Sequence, residues 1–403
     1  RPKKATGLTD YPESDSEVLE IAQRLWGAET EESIDRIVGK GRVFSGVRPA
    51  EVLRLLGIEP DFSWSSPYED THLEYIHRST PGEEIYFVVN RLARHGINDM
   101  KYRYLPDLPD RFEEVTAKFR ITGKVPELWD PMSGKIERAV AYREENGFTE
   151  VLLHLPPEGS CFVVFRDKEA EKHIVRIEKD GDLLFPGNPG LPGMFPSFRL
   201  EVTENNLTNV VANSGTYKLT WSDQTVTELE SLEKWSEKKV TSPWSLRFEE
   251  SWGPRDTLIA DKLAFWDSST DDRVKYYSGR AFYSTMFSLK EEEIQDHQIL
   301  LDIGNVQEIA YVRINGSDPV ILWMPPFVTS ITDLVKPGSN SLEVTVVNSW
   351  ANRLIGDSYL PDNEKVTRTN VKKFEAPGKE SLLRKSGLSG PVTLHFQKVI
   401  PLH

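Results

Sequence analysis

Residues 310–357, AYVRINGSDPVILWMPPFVTSITDLVKPGSNSLEVTVVNSWANRLIGD, decide the fold class. In residues 311–314 and again in 341–348 apolar and polar side chains alternate, the period of a strand with one buried face. Asn315-Gly316 predicts a type I′ hairpin turn, because both central residues of that turn need positive φ. Pro337-Gly338 fits a type II turn, with proline second and glycine third. The stretch therefore reads as antiparallel β, with Leu342, Val344 and Val346 pointing inward and Glu343 and Thr345 toward water.

Working outward, the same pattern recurs upstream. From Glu114 onward Val115, Ala117, Phe119 and Ile121 alternate with Glu114, Thr116, Lys118 and Arg120, the polar set facing out. Strand-like runs follow at 127–134, 148–155, 160–166, 172–180 and 210–221, with a loop at 185–193. Residues 72–90, HLEYIHRSTPGEEIYFVVN, hold two strands around Pro81-Gly82. Before them, residues 14–27 read as a helix with SDSE as a capping box and Val18, Ile21, Ala22 and Leu25 on one face. A second helix spans 49–56, with Pro49 at its first turn and Gly57 past its end. GKGRVFSG (39–46) lacks the spacing of a phosphate-binding loop and reads as a tight βα connection. The fold class is thus mainly β: an α/β segment over 1–112, a β-sandwich with a linker over 113–245 (224–245 being polar and linker-like) and a second β-sandwich over 246–403. The polar segment 361–385 reads as a surface loop.

Composition narrows function. A net charge of −14 and the lack of a basic stripe argue against a nucleic-acid partner. No apolar run reaches the roughly 20 residues of a membrane span, and no signal peptide is visible. Ten tryptophans suit both sandwich cores and sugar-stacking surfaces. The single cysteine, Cys161, sits in an apolar run and is expected to be a buried, inert thiol. The chain opens on Arg1 without an initiator methionine, which suggests a piece of a longer or processed polypeptide.

The string LWMPPFVTSITDLVKPGSNSLEVTVVNSWANRLIGD (322–357), with SGLSGPVTLHF (386–396), resembles the carboxy-terminal region of glycoside hydrolase family 106, the α-L-rhamnosidase family. YYSGRAFYSTMFSL (276–289) adds a broader likeness to galactose-binding-like sandwiches of β-galactosidase-type hydrolases. The resemblance spans roughly 40–396 and is densest in the last domain, which it implies is a galactose-binding-like jelly roll. It places 72–90 near the end of a catalytic (β/α)-barrel, so that 1–112 would be the tail of a barrel begun upstream. It further implies that the two catalytic glutamates, and a calcium-assisted sugar site, lie before Arg1, so no catalytic residue and no cofactor is assigned within this chain. The whole protein would then remove terminal α-L-rhamnose from polysaccharides with inversion, as a secreted or periplasmic bacterial enzyme. Its partners would be a rhamnose-containing glycan and the upstream barrel.

Glycoside hydrolysis generally uses two carboxyl groups about 5 to 9.5 Å apart, and Asp70, Glu74, Glu83, Glu84, Glu127 and Asp130 are the local carboxylates to consider. Each also has a turn or surface reading. For substrate binding the candidates are His77, Arg78 and Asn90, at strand ends of the kind that build barrel active sites. In the last domain they are Trp323, Trp350, Arg353 and Asp357, where an indole stacks on a sugar and charged groups bind hydroxyls. Against this stands a structural reading, in which Trp323 packs inside while Asn352, Arg353 and Asp357 pin the loop and dock this sandwich on its neighbour. Two rival functions remain open in the sequence: a non-catalytic carbohydrate-binding or scaffolding protein, and a module that completes a separate barrel chain, the latter marked by a large apolar surface on residues 1–110.

Overall fold

The computed structural model describes residues 2–27, 34–90, 112–157, 159–187, 195–196, 198–202, 208–241, 243–249, 253–368 and 383–402. The chain is mainly β and divides into two units, residues 1–63 and 64–403.

The first unit has a helix, Glu13–Trp26, then the strands Ile34–Val38 and Gly41–Ser45, then a helix, Pro49–Leu55. The first helix follows Pro12 with no side-chain cap, so Ser14 lies inside it and the expected SDSE capping box does not form. Ala22 is buried while Ile21 is exposed. Val38 pairs directly with Gly41, which makes Gly39-Lys40 a hairpin turn, with Gly39 at φ +60°. The glycines of 39–46 thus reverse the chain between antiparallel strands instead of linking a strand to a helix. Pro49 opens the second helix as expected.

In the second unit, Leu73–Thr80 and Glu83–Asn90 form a hairpin about Pro81-Gly82. They head an antiparallel sheet that continues through Ser160–Arg166, Val125–Trp129 and Ile136–Arg138. A second layer contains Glu113–Phe119, Phe148–Leu155 and Tyr142–Glu145. Tyr86 and Phe165 of the first sheet meet Phe119 of the second edge to face, with ring centroids 4.8 and 5.2 Å apart, so the two sheets share one core. Residues 72–90 therefore belong to the same sheet as 160–166, and the expected boundary at 112/113 falls within a continuous sandwich. The reason is local: a two-residue turn folds strands antiparallel, whereas neighbouring barrel strands are parallel and need a crossover of a dozen or more residues.

A third sheet, in the order Asp182–Phe185, Ile174–Lys179, Gly215–Trp221 and Val226–Ser231, packs Ile174, Ile177, Tyr217 and Leu219 against Leu152. This third layer explains why the polar face of 113–119 is not wet. Glu114 and Thr116, on that face, are buried, and Thr116 Oγ1 donates to the Gly187 carbonyl at 3.0 Å; Glu113, on the opposite face with Val115, is buried too and accepts from Thr71 Oγ1 at 2.7 Å.

The last sandwich matches the reading of 310–357. One antiparallel sheet runs Leu258–Ala260, Trp244–Phe248, Arg280–Leu289, Gly338–Val347, Ile309–Ile314, Val320–Leu322. Leu342, Val344 and Val346 are fully buried, each worth about 1.5–3 kcal/mol of burial. Asn315 and Gly316 have φ of +52° and +78°, and Ser317 N–H closes the turn on the Ile314 carbonyl at 2.9 Å. The facing sheet is built on Thr393–Leu402, flanked by His297–Asp302 and by two segments from earlier in the chain. Residues 399–402 pair with Thr208–Ala212, and residues 393–396 pair with Ser236–Lys239. Segment 224–245, expected to be a linker, thus supplies the strands Val226–Ser231 and Ser236–Lys239, and sheet pairing crosses the expected boundary at 245/246. The SGLSGPV string is explained by packing. Gly387 has φ +91°, and a Cβ there would stand 2.5 Å from the Trp266 indole. The loop expectations at 185–193 and 361–385 fall largely outside the described residues.

Candidate functional site

His77 lies on the outer strand Leu73–Thr80 and sits opposite Tyr86. Its ring stacks on the Tyr86 ring, with centroids 3.9 Å apart and planes 13° apart, while Nε2 contacts Glu84 Oε2 at 3.0 Å. Glu84 also accepts from Ser79 Oγ and has Lys124 Nζ at 3.9 Å. The Ser79 hydrogen bond outweighs partial burial and, with the contacts from His77 and Lys124, holds the Glu84 carboxyl below its usual range. Arg78, next in the strand, points to the opposite face and donates to the His77 carbonyl at 3.1 Å. Asn90 is buried; its Nδ2 donates to the Pro156 carbonyl at 3.0 Å and its N–H to the Gly159 carbonyl at 2.9 Å. It stands opposite Leu73, four positions from His77 along the strand, or about 13 Å at strand spacing. His77 and Asn90 are therefore not brought together, and Asn90 serves the turn at 156–159.

In the last domain Trp323 and Trp350 are exposed, at 56% and 53%, whereas Arg353 and Asp357 are buried, at 6% and 5%. The helix Ala351–Ser358 places Arg353 and Asp357 one turn apart on its inner face, and they pair at 2.9 Å. Burial disfavours the Asp357 anion, but the Thr367 hydroxyl, the Thr367 and Val366 N–H groups and the Arg353 charge outweigh it, holding this carboxyl below its usual range. Asn352 Nδ2 donates to the Arg384 carbonyl at 2.7 Å and its Oδ1 accepts from the Arg384 N–H at 2.8 Å. These three polar side chains tie the helix to segments 366–367 and 384–386. Exposed indoles and buried charges do not share one surface, so the four residues do not form a single site.

The remaining local carboxylates have structural partners. Asp130 caps its turn through Met132 N–H at 2.8 Å and Ser133 Oγ. Glu127 has Arg166 at 3.3 Å, accepts from Trp129 Nε1 at 3.1 Å and pairs with Lys168; burial opposes its ionisation, and these contacts prevail to lower its pKa. Glu83 pairs with Arg166 at 3.1 Å. The carboxyls displaced by their surroundings, Glu84, Glu127 and Asp357 among them, are displaced downward, the opposite of what a protonated acid catalyst requires. Burial pushes the Cys161 thiol up to about 12, which keeps it protonated. Among the described residues no three His, Cys, Asp or Glu side chains are placed to hold a metal ion. No described helix is long and apolar enough to cross a membrane.

Residues 1–144 match the family model described as alpha-L-rhamnosidase, glycoside hydrolase family 106. The strings at 322–357 and 386–396 lie outside that match. Over 95% of its length the chain is similar to the structure of a rhamnosidase from Novosphingobium sp. PP1Y, with 28% identity and a TM-score of 0.61, covering 29% of that chain. A protein of Formosa agariphila, provisionally named a beta-glucuronidase, is 23% identical across 98% of this chain and 48% of its own length. The beta-glucuronidase of an uncultured Clostridium sp. is 19% identical over 42% of this chain and 30% of its own, at a TM-score of 0.30. The chain thus spans about half the length of the curated relative and less than a third of the solved rhamnosidase. The match over residues 1–144 to family 106, the alpha-L-rhamnosidases, and the likenesses to the solved rhamnosidase and the Formosa agariphila protein support a glycoside hydrolase-like protein.

Proposed function

We propose that this chain is the carboxy-terminal portion of an α-L-rhamnosidase acting on rhamnose-containing polysaccharide, and that it supports a catalytic barrel encoded ahead of it. The likeness to the Novosphingobium rhamnosidase over 95% of this chain but 29% of that one carries this reading. Two observations agree with it. Here Glu84, Glu127 and Asp357 are held below the usual carboxyl range in structural pairs, which does not suit them to act as the protonated acid. In the first unit Leu8, Ile37, Leu53, Leu55 and Ile58 are exposed, an apolar set suited to covering by a preceding domain. Calcium would be held by that upstream portion, and the whole protein would work outside the cytoplasm, secreted or in the periplasm. The test is hydrolysis of 4-nitrophenyl α-L-rhamnoside by the full-length protein. Turnover with an inverted anomer as first product supports the reading; cleavage of the β-D-glucuronide in place of the rhamnoside overturns it.

A further inference from the structure

The strand Thr393–Leu402 turns Leu394 and Phe396 into the core of the last sandwich. By strand alternation His395 and Gln397 face the other way. Ser236–Lys239 runs antiparallel beside it, with Glu237 opposite His395. On this outer face lies a cleft of about 240 Å³, lined by Phe195, Trp235, Ser236, Glu237, His395 and Gln397. Of these residues only His395 belongs to a string that draws attention in the sequence, SGLSGPVTLHF (386–396).

The floor of the cleft is built, and its hydrogen bonding is unfinished. Gln397 is fully buried, and its Oε1 accepts from Arg199 Nη2 at 2.9 Å. Arg199 is itself held by Glu201 at 3.1 Å and donates to Gln298. A guanidinium only donates, so the contact fixes which end of the carboxamide is oxygen. The amide Nε2, at the other end, has no partner, and neither does His395 Nε2; Asp302 Oδ2 is 3.9 Å from the latter, beyond hydrogen-bond reach. Buried polar groups are ordinarily paired, and the two side chains that end in these nitrogens, Gln397 and His395, both line the cleft. The walls are equally fixed. Trp235 Nε1 donates to the Ala212 carbonyl at 3.0 Å and its N–H to Asn213 Oδ1 at 3.2 Å, and Phe195 stands edge-on to the His395 ring at 4.9 Å.

We propose that this cleft is a carbohydrate-binding site that takes one neutral sugar ring, separate from any catalytic centre. An indole and a phenyl ring offer faces for the C–H side of a pyranose. Gln397 Nε2 donates to a hydroxyl, and Glu237 and Ser236 accept from others. Among the described residues no Lys or Arg lines the cleft, and Glu237 adds negative charge, which disfavours a phosphate or a uronic acid. The volume is below the roughly 300–1,000 Å³ of sites for drug-sized ligands, so the cleft admits a single ring of a longer chain. That the ring is a sugar rests on the carbohydrate-directed reading above.

Titration of the chain with methyl α-L-rhamnoside, methyl β-D-galactoside and D-glucuronate, followed by calorimetry and indole fluorescence, tests this. Saturation by a neutral glycoside is expected, at least about tenfold tighter than by glucuronate. Gln397→Glu keeps the acceptor for Arg199 and removes the donor, and is expected to weaken binding at least tenfold. Trp235→Ala should do the same and Trp323→Ala should change nothing. Should Gln397→Glu fail to fold by circular dichroism, Glu237→Gln at the exposed rim reads the same site. Absence of saturation by any neutral sugar, with water alone meeting the two nitrogens, overturns the proposal, as does binding that survives both Gln397→Glu and Trp235→Ala. Saturation by the galactoside but not the rhamnoside upholds the cleft while counting against rhamnose as the substrate, so the two readings fail separately.

Discussion

The helix Ala351–Ser358 and the cleft between Trp235 and Gln397 both hold buried polar side chains, and they differ in how those side chains are partnered. In the helix, Asn352, Arg353 and Asp357 lie within six residues and bind one another or nearby backbone; Arg353 Nε is the exception, with no partner among the described residues. In the cleft, Arg199 and Gln397 meet across 198 residues of sequence, and two nitrogens at the base are left open. The conspicuous motif here spends most of its hydrogen bonding on fixing a loop. The inconspicuous one, assembled by strand pairing, retains capacity for a ligand.

The largest effect that would sharpen this contrast is loss of the buried ion pair. Asp357→Ala strands the Arg353 guanidinium in the interior and is expected to cost about 3–5 kcal/mol, read as a fall in the urea midpoint. A loss under 1 kcal/mol would mean that the helix is not pinned by this pair. Next, Gly387→Ala drives a methyl into the Trp266 indole at a left-handed backbone position and should cost about 1–3 kcal/mol by overpacking alone. Acid titration gives a third measure. Unfolded Asp titrates near about 3.9 and folded Asp357 lies below that. Its contribution is therefore fully present above the unfolded value and is lost as pH falls through the folded one. Stability of the wild-type chain should decline on acidification below about pH 4, and Asp357→Asn should flatten that decline. The smallest effect belongs to the exposed indole: Trp323→Ala should change stability by less than about 0.5 kcal/mol, and a larger loss would show it packed against a neighbour.

Much of this architecture could be read from local pattern. The alternation at 342–346, the Asn315-Gly316 turn and the strands on either side of Pro81-Gly82 are set by residues close in sequence, and each took its expected form. Segment 224–245 did not. Its polar composition concealed strands whose partners, Gly215–Trp221 and Thr393–Leu402, satisfy the backbone from elsewhere. Glu114 and Thr116 misled for a similar reason, because a third layer, invisible in the alternation of one strand, covers their face. Of the site residues proposed from sequence, His77 and Arg78 fall on opposite faces of an outer strand, and Asn90, Arg353 and Asp357 are committed to buried structural bonds. Gln397 carried no local signal and His395 only that of the string 386–396, since two polar residues at alternate positions of a strand read as an ordinary solvated face.

Release of 4-nitrophenol from 4-nitrophenyl α-L-rhamnoside by this polypeptide alone is the most direct measure of whether it supports catalysis or performs it. The expected result is no release above the uncatalysed rate, even at high protein concentration. Release that persists through repurification and is abolished by Glu127→Gln would contradict the division of labour proposed for this chain.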